Sequence, residues 1–471
     1  MLPRTFCVLA ILSLAVPMLA TAPTPALADG AWTTTELSAP HEGPGVARIG
    51  TKVLFAGGCA ARCEHPRAWS PSGGVDIYDD STQTWSTAQL SQARESVASA
   101  SVGQLALFAG GAPSAETVSD AVDIYDDSTG QWSTARLSQA RSRVAAATVG
   151  NQVLFVGGGT YTDSPAHQTA VDSVDIFDAG TRQWRTARLS QTPDVPPRMV
   201  TVGNTLLVVL KKALDVYDAP SGRWSTVQLP DARENAAIAV VGTRVLIIGG
   251  GTDVGGRYVA SDAVDAFDVG TGSWTNSHLS QPRGLTPRVA TVADKVLVVG
   301  GEINPDQPIG VVDIYDAPTD SWSAAPLSEP RTSIVAGTVG TQALLAGGSL
   351  GFRQPSATVD IYDASTDQWS TASLSQPSDS LSAVTSGDQV LFADSSSSVN
   401  SSTASVDIYD APTDTWSTGT LSQRRWPSAV GFPTRAIFVG GYYWGFATAS
   451  TVADMYDHSP APSDAPDDGS N

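Results

Sequence analysis

The chain has 471 residues, of which 41% are apolar and 16% are charged, so it can build a sizeable core. Its 43 glycines and 30 prolines are typical of a protein made of many short elements. The formal charge of −20 repels polyanions, which excludes nucleic acid and anionic membrane surfaces as expected partners.

Residues 1–28 are typical of a secretory signal peptide. Arg4 supplies the positive charge, residues 6–20 form an apolar run, and the small-residue motif ALA at 26–28 offers a cleavage site. The run is short for a membrane span and contains Pro17. Since no later segment is apolar for long enough to cross a bilayer, we expect a mature protein that is secreted, extracellular or periplasmic, without membrane insertion.

A unit of about fifty residues recurs through the rest of the chain. It combines an apolar run that ends in Gly-Gly in seven of the units, a run that ends in Tyr-Asp or Phe-Asp, and a Trp. The aromatic residues of the second marker are Tyr78, Tyr125, Phe177, Tyr217, Phe267, Tyr315, Tyr362, Tyr409 and Tyr456. The recurring Trp residues are Trp32, Trp85, Trp132, Trp184, Trp224, Trp274, Trp322, Trp369 and Trp416.

Each unit predicts four β-strands. Residues 144–150 and 152–158 are β-branched or apolar runs separated by Gly-Asn, and residues 171–184 give a third strand, a turn and a fourth strand. Near-continuous apolar runs fit strands that are covered on both faces. The Gly pairs indicate a close approach of neighbouring backbones, where a Cβ atom would clash.

Gly-Gly, Tyr and Trp at this period resemble the Kelch repeat family from Trp32 to Asp457. The resemblance implies an all-β fold, a β-propeller in which each repeat is one four-stranded blade around a central axis. Units four and eight lack Gly-Gly, with Lys211-Lys212 and a Ser-rich loop in its place, but keep the other markers.

The spacing of the markers predicts how the ring closes. In eight units the aromatic residue and the next Trp are seven positions apart, whereas no Trp follows Tyr456 and no aromatic-Asp pair precedes Trp32. We therefore predict that the strand around Trp32 completes the last blade and leaves no sheet edge open there. The propeller then has about nine blades over residues 29–457, with seven or eight as the alternative. A disordered acidic tail is expected at 458–471.

Residues that repeat in every blade, including the positions equivalent to Asp76, are predicted to serve packing and turns, because a binding site needs asymmetry. Binding is expected in loops that break the repeat, on the face where second strands lead to third strands and where blades are connected. The predicted binding residues are Arg62, His65, Arg67, Trp69, Tyr161, Tyr258, Phe352, Arg424, Arg425, Trp426, Tyr442, Tyr443 and Trp444.

The loops of the first and ninth blades should be neighbours in a closed ring and should form one patch rich in aromatic residues and arginine. Such a patch suits a protein epitope or a glycan, and the alternative is that the aromatic residues only pack their own loops. The sequence favours a monomeric, non-catalytic scaffold that binds an extracellular protein or glycan and holds no cofactor or metal.

A carbohydrate-active enzyme, such as a sugar epimerase or mutarotase, is the alternative function. Glu64, His65, His167 and Glu302 lie in the loops and could serve as acid and base, but their spacing specifies no pair. Kelch propellers also include copper oxidases resembling galactose oxidase. Here no Tyr is followed by His, as the copper ligands of that family require, so copper chemistry is less favoured.

Cys59 and Cys63 are the cysteines that remain once the leader is removed. An oxidising compartment permits a disulfide between them, which would close a very small loop and mainly fix its local shape. The spacing also occurs in zinc sites, but no second pair of cysteines accompanies it.

Overall fold

The computed structural model describes residues 26–27, 30–61, 69–161, 168–194, 196–255, 257–284, 287–301, 308–351, 354–394, 404–442 and 449–458. These residues form β-strands, turns and loops, and none of them lies in a helix. No membrane-spanning helix occurs in these ranges. The chain begins with β1 (Ala26–Leu27) and β2 (Ala31–Glu36).

Nine four-stranded sheets follow, and each is one blade of a propeller. Blade 1 has β3 (Gly45–Ile49), β4 (Lys52–Ala56), β5 (Gly74–Asp79) and β6 (Thr84–Gln89). Blade 2 has β7 (Ala98–Val102), β8 (Leu105–Ala109), β9 (Ala121–Asp126) and β10 (Gln131–Arg136). Blade 3 has β11 (Ala145–Val149), β12 (Gln152–Val156), a hairpin of β13 (Gly159–Tyr161) and β14 (Gln168–Ala170), then β15 (Ser173–Asp178) and β16 (Gln183–Arg188).

The next three blades keep the same order. Blade 4 has β17 (Arg198–Val202), β18 (Thr205–Val209), β19 (Ala213–Asp218) and β20 (Arg223–Gln228). Blade 5 has β21 (Ala237–Val241), β22 (Arg244–Ile248), a hairpin of β23 (Gly251–Val254) and β24 (Arg257–Ala260), then β25 (Ala263–Asp268) and β26 (Ser273–His278). Blade 6 has β27 (Arg288–Val292), β28 (Lys295–Val299), β29 (Val311–Asp316) and β30 (Ser321–Pro326).

The last three blades complete the ring. Blade 7 has β31 (Val335–Val339), β32 (Gln342–Ala346), β33 (Thr358–Asp363) and β34 (Gln368–Ser373). Blade 8 has β35 (Leu381–Ser386), β36 (Gln389–Asp394), β37 (Ser405–Asp410) and β38 (Thr415–Thr420). Blade 9 has β39 (Ser428–Gly431), β40 (Arg435–Val439) and β41 (Val452–Asp457), and β2 is its fourth strand.

The ring is closed by the N-terminal strand, as predicted. β2 pairs antiparallel with β41, and the register places Trp32 opposite Tyr456. Their ring centroids are 5.1 Å apart, the same distance as between Tyr78 and Trp85 in blade 1. The last blade therefore repeats the local structure of the others with strands from both ends of the chain, and the prediction of nine blades is confirmed.

Apolar clusters lie between neighbouring blades, including the pair formed by blades 9 and 1. The second strands are buried along all or nearly all of their length, as in β8 and β12, because a blade packs on each face. The fourth strands, such as β34, alternate between exposed and half-buried residues. Trp369 in β34 packs against Tyr362 with ring centroids 5.0 Å apart.

The Gly pairs allow the close approach that the sequence predicts. Gly348 has a φ of +99°, and a Cβ atom on it would lie 2.3 Å from the backbone oxygen of Thr332. The two segments are hydrogen bonded, since the Ser349 N–H donates to the Thr332 carbonyl at 2.8 Å. A larger residue at Gly348 would break this contact between a second-to-third-strand loop and the connection that enters blade 7.

Residues next to both predicted terminal boundaries make contacts with the propeller. Ala26 and Leu27, inside the predicted leader, pair as a parallel strand with the outer edge of β38. His458, the first residue of the predicted tail, donates its N–H to the Thr434 carbonyl at 3.2 Å. The rest of the tail, 459–471, and residues 1–25 lie outside the described residues.

Candidate functional site

The upper face of the propeller carries the second-to-third-strand loops and the connections between blades. First and third strands run away from this face, and second and fourth strands run toward it, because neighbouring strands within a blade are antiparallel. Tight turns occupy the opposite, lower face. The upper face is where the repeats differ most in length and sequence, so it is the candidate functional surface.

The loops of blades 9 and 1 are joined on this face, and we call their union the junction (residues 58–61, 69–72, 424–427, 440–442 and 449–451). Its segments are linked by backbone hydrogen bonds from N–H to carbonyl. These bonds are Trp426 to Tyr442 (3.1 Å), Ser450 to Gly441 (2.8 Å), Ala449 to Ala60 (3.1 Å) and Ala60 to Ser70 (2.7 Å). The loops of blades 1 and 9, which are the richest in aromatic residues and arginine, therefore form one continuous surface.

Two tryptophans of the predicted set lie in the junction and are half-buried. Trp426 donates its indole N–H to the Ser380 hydroxyl at 3.0 Å, which fixes the ring against blade 8. The indole N–H of Trp69 has no hydrogen-bond partner among the described residues. Arg424, at the edge of the junction, is also half-buried. The junction thus holds aromatic side chains with one oriented ring and one unsatisfied donor.

Arg425 is not a surface residue, so it leaves the predicted binding set. It is only 2% exposed and donates to the Asp454 carboxylate at 2.8 Å and to the Phe438 carbonyl at 3.1 Å. Tyr442 is also buried, at 5% exposure. Neither side chain is exposed enough to form part of a binding surface.

The remaining described members of the set lie on other blades. Tyr161 ends β13 in blade 3, and Tyr258 lies in β24 of blade 5; both are half-buried. The Tyr258 hydroxyl donates to the Glu234 carbonyl at 3.3 Å, and burial raises the pKa of this phenol. The structure does not bring these two tyrosines to the junction.

A carboxyl group with a raised pKa lies on the upper face near blade 2. Glu95 lies in the connection that enters that blade, and burial raises the pKa of its carboxyl, although Ser96 and Arg143 act in the opposite direction. Cys59 lies nearby in the junction and is disulfide-bonded. Its predicted partner, Cys63, lies outside the described residues, so the pairing stays a prediction.

Several predicted site residues cannot be placed. Arg62, His65, Arg67, Phe352, Tyr443 and Trp444 lie outside the described residues, as do Glu64, His167 and Glu302 of the enzymatic alternative. Within the described ranges no group of three or more His, Cys, Asp and Glu side chains could hold a metal ion.

Two polar grooves open near the outer strands of blades 2 and 3, with volumes of about 570 and 380 Å³. Each contains a Ser, a Gln and an Arg at equivalent positions of the repeat, such as Gln92 and Arg136 in one and Gln139 and Arg188 in the other. Each arginine pairs with an aspartate of its own blade. Because the groove recurs with the repeat, it is a property of the blade and does not mark a unique site.

A set of buried arginines was not predicted as such from the sequence. Each lies in the connection that enters a blade and pairs with the third-strand Asp of that blade. The pairs are Arg94–Asp123, Arg141–Asp175, Arg233–Asp265, Arg283–Asp313, Arg331–Asp360 and Arg425–Asp454. All six arginines follow a Leu by four positions, so the repeat itself carried the signal.

Comparison with known families agrees with this architecture. The model of the Kelch motif matches residues 285–326 and 330–373, which cover most of blades 6 and 7. No curated protein matches the chain.

Proposed function

Because the chain is a Kelch-repeat β-propeller, we propose that it is a non-catalytic binding scaffold whose junction on the upper face takes up an extracellular protein or glycan. The nine blades supply a rigid frame, and the loops of blades 9 and 1 supply the asymmetry that recognition needs. Aromatic side chains held at a protein surface are frequent centres of binding energy.

The backbone hydrogen bond from Ala449 to Ala60 carries this proposal. It unites loops from opposite ends of the chain, so Trp69 and Trp426 belong to one surface. A closed ring also keeps that surface rigid, which lowers the entropy lost on binding.

Binding of the mature protein to a glycan array and to proteins of the surrounding extracellular fluid tests the proposal. Trp69→Ala and Trp426→Ala should each weaken binding by roughly thirtyfold if the tryptophan is a hot spot worth about 2 kcal/mol. Arg182→Ala is the matched control, because this large side chain is half-exposed on the lower face of blade 3. Thermal melts show whether each variant is folded.

A signal confined to the glycan array identifies a sugar ligand, and one confined to proteins identifies a protein ligand. Binding that survives both tryptophan substitutions, or that falls equally in the Arg182 control, would contradict a site at the junction. Turnover of a sugar anomer or epimer by the purified protein would instead establish the enzymatic alternative.

Export is part of the proposal and rests on the N-terminal sequence. N-terminal sequencing of protein made in its native host should find Asp29 as the first residue. A mature chain that still begins at Met1 would remove the support for an extracellular ligand.

A further inference from the structure

The six buried arginines hold the inter-blade connections in the same way. Arg283 is fully buried and donates to the Gly300 carbonyl at 2.6 Å, to the Val311 carbonyl at 2.7 Å and to the Asp313 carboxylate at 2.6 Å. Burial lowers the pKa of its guanidinium, and the charge of Asp313 opposes that shift. A guanidinium suits this position because it is always charged and has only donors.

Blade 1 has His41 at this position. The residue follows Leu37 by four positions, as Arg283 follows Leu279. Its side chain is fully buried, with Nδ1 lying 2.8 Å from the Gly57 carbonyl and Nε2 lying 2.8 Å from the Asp76 carboxylate. Gly57 and Asp76 are the counterparts of Gly300 and Asp313, so the imidazole makes two of the contacts that the guanidinium makes elsewhere.

The contacts of His41 select one protonation state. A backbone carbonyl and a carboxylate are both hydrogen-bond acceptors, whereas a neutral imidazole has one donor and one acceptor nitrogen. Only the doubly protonated ring donates to both partners. In the neutral ring one nitrogen lone pair would face an oxygen inside the protein, and a buried polar group without a partner is costly.

Asp76 is the charged group in contact with the ring. It also accepts hydrogen bonds from the Ser38 N–H at 2.9 Å and the Ser38 hydroxyl at 3.1 Å. Glu42 is the next residue in the chain, and its backbone pairs with Cys59. From blade 9, the backbone of Gly440 and Gly441 packs against His41, and the Gly441 N–H donates to the His41 carbonyl at 2.6 Å.

The replacement of arginine by histidine matters more in blade 1 than it would in another blade, because of where His41 lies in the ring. Residues 37–44 lead from β2, the strand that closes blade 9, to β3, the first strand of blade 1. His41 is thus the side chain that fixes the closing connection of the ring to blade 1. The same segment bonds to both loops of the junction, through Gly441 and Cys59.

We propose that His41 is a pH-responsive clasp, an imidazolium that secures ring closure in acid and releases it as the pH rises. Histidine is the side chain whose charge ordinarily changes near neutral pH. When the proton leaves, one contact of the ring is lost and residues 37–44 open more often. The six guanidinium-held connections keep their charge over the same range. The clasp does not depend on what the junction binds.

Hydrogen–deuterium exchange of the mature protein from pH 5.5 to 8.5 tests the clasp, with rates corrected for the intrinsic effect of pH. Protection of residues 37–44 should fall by about tenfold or more over this range, since an opening linked to loss of one proton changes by up to tenfold per pH unit. In His41→Arg the protection should stay level. His278→Arg, at an exposed position on β26, is the matched control and should behave as the wild type.

Nitrogen NMR of the wild-type protein labelled in histidine gives a second readout that needs no folded variant. The chain has only five histidines, which keeps assignment simple. Both ring nitrogens of His41 should carry protons at pH 6. A neutral ring at that pH, or the same pH profile of residues 37–44 in wild type and His41→Arg, would overturn the proposal.

Discussion

Blades 6 and 8 are built on the same repeat but differ in the partner of the third-strand aspartate. In blade 6, Arg283 neutralises the buried Asp313. In blade 8, Ser378 stands where the arginine would be, and its hydroxyl donates to Asp394 at 2.7 Å. Asp407, the counterpart of Asp313, is just as buried and accepts hydrogen bonds from the N–H and the hydroxyl of Ser375.

The equivalent aspartates, Asp313 and Asp407, are therefore expected to affect the stability of the folded protein in opposite ways. Burial, opposed by Ser375 and reinforced by the charge of Asp394, raises the pKa of Asp407 to about 6. In blade 6 the guanidinium of Arg283 lies against the equivalent carboxylate. The comparison teaches that a repeated residue stabilises a repeat protein only while its partner is repeated too.

Blade 4 also lacks the arginine, and its third-strand aspartate is held by other groups. Pro193 takes its position, and Asp215 accepts hydrogen bonds from the Ser190 N–H at 2.7 Å and the Thr226 hydroxyl at 2.7 Å. The loop above it is reduced to a tight turn closed by Leu210 and Ala213. A short turn leaves less backbone to hold, so a smaller anchor is sufficient.

Loss of a guanidinium is expected to have the largest effect. Arg283→Met keeps most of the side-chain volume but leaves Asp313 charged and buried, so the free energy of unfolding should fall by about 3–5 kcal/mol. Denaturant titration measures it. Arg136→Met removes an arginine that is 77% exposed from its pair with Asp120 and should cost less than about 1 kcal/mol.

The double variant Arg283→Met with Asp313→Asn tests the cause of this loss, because it also removes the Asp313 charge that Arg283→Met leaves unpaired. It should recover part of the lost stability. Equal losses in Arg283→Met and Arg136→Met would show that the buried pair contributes nothing beyond an exposed one.

Replacing the third-strand aspartate by asparagine should change the free energy of unfolding in opposite directions in blades 8 and 6. The pKa of Asp407 is raised in the folded state, so its full contribution to stability is present below about pH 4 and is lost as the pH rises through about 6. Asp407→Asn should therefore stabilise the protein by about 1–3 kcal/mol at pH 7.5 and give no gain at pH 4. Asp313→Asn should destabilise it at pH 7.5.

Denaturation at the two pH values checks this prediction, with each variant compared with wild type at the same pH. Destabilisation by Asp407→Asn at pH 7.5 would mean that blade 8 supplies a cationic partner to Asp407 in solution, and the contrast between the blades would be lost.

The smallest effect is expected at the lower face, where the blades do not differ in this way. Asp363 in blade 7 accepts from the Ser365 N–H at 2.8 Å, and Asp410 in blade 8 accepts from the Thr413 N–H at 3.1 Å. Replacing either by Ala should cost about 0.5–1.5 kcal/mol, because each loses a turn hydrogen bond. Thermal melts measure both, and a clear inequality would show that the irregularity of blade 8 reaches its lower turns.

Much of the fold could be predicted from local patterns. The seven-residue step from Tyr78 to Trp85 is set by one tight turn between two paired strands, so it reports a cross-strand contact directly. The absence of that step after Tyr456 located the closing strand at Trp32. Such inferences succeed because the partners are fixed by a short turn or by a repeat that compares the chain with itself.

The candidate site was less accessible to this reasoning. Arg425 and Trp426 are adjacent in sequence and were both assigned to the surface, yet the first is buried in an ion pair and the second is only half-buried. The sequence did not distinguish them, because burial depends on the segments that fold over a residue. Arg425 is covered because it contacts the Phe438 carbonyl and the Asp454 carboxylate, which lie further along the chain.

Local patterns in the sequence are sufficient to predict the repeat, the order of the strands and the way in which the two ends of the chain complete one blade. Those features follow from periodic apolar residues and from turn chemistry, which act over a few positions. Which charged side chains are buried depends on how the blades stack. Arg283 and His41 are buried with their aspartates, whereas Asp407 is buried with no cationic partner among the residues that the structure describes. Each of these depends on groups about thirty residues apart that meet only when the sheets are stacked, and the cost of a buried charge depends on what then surrounds it.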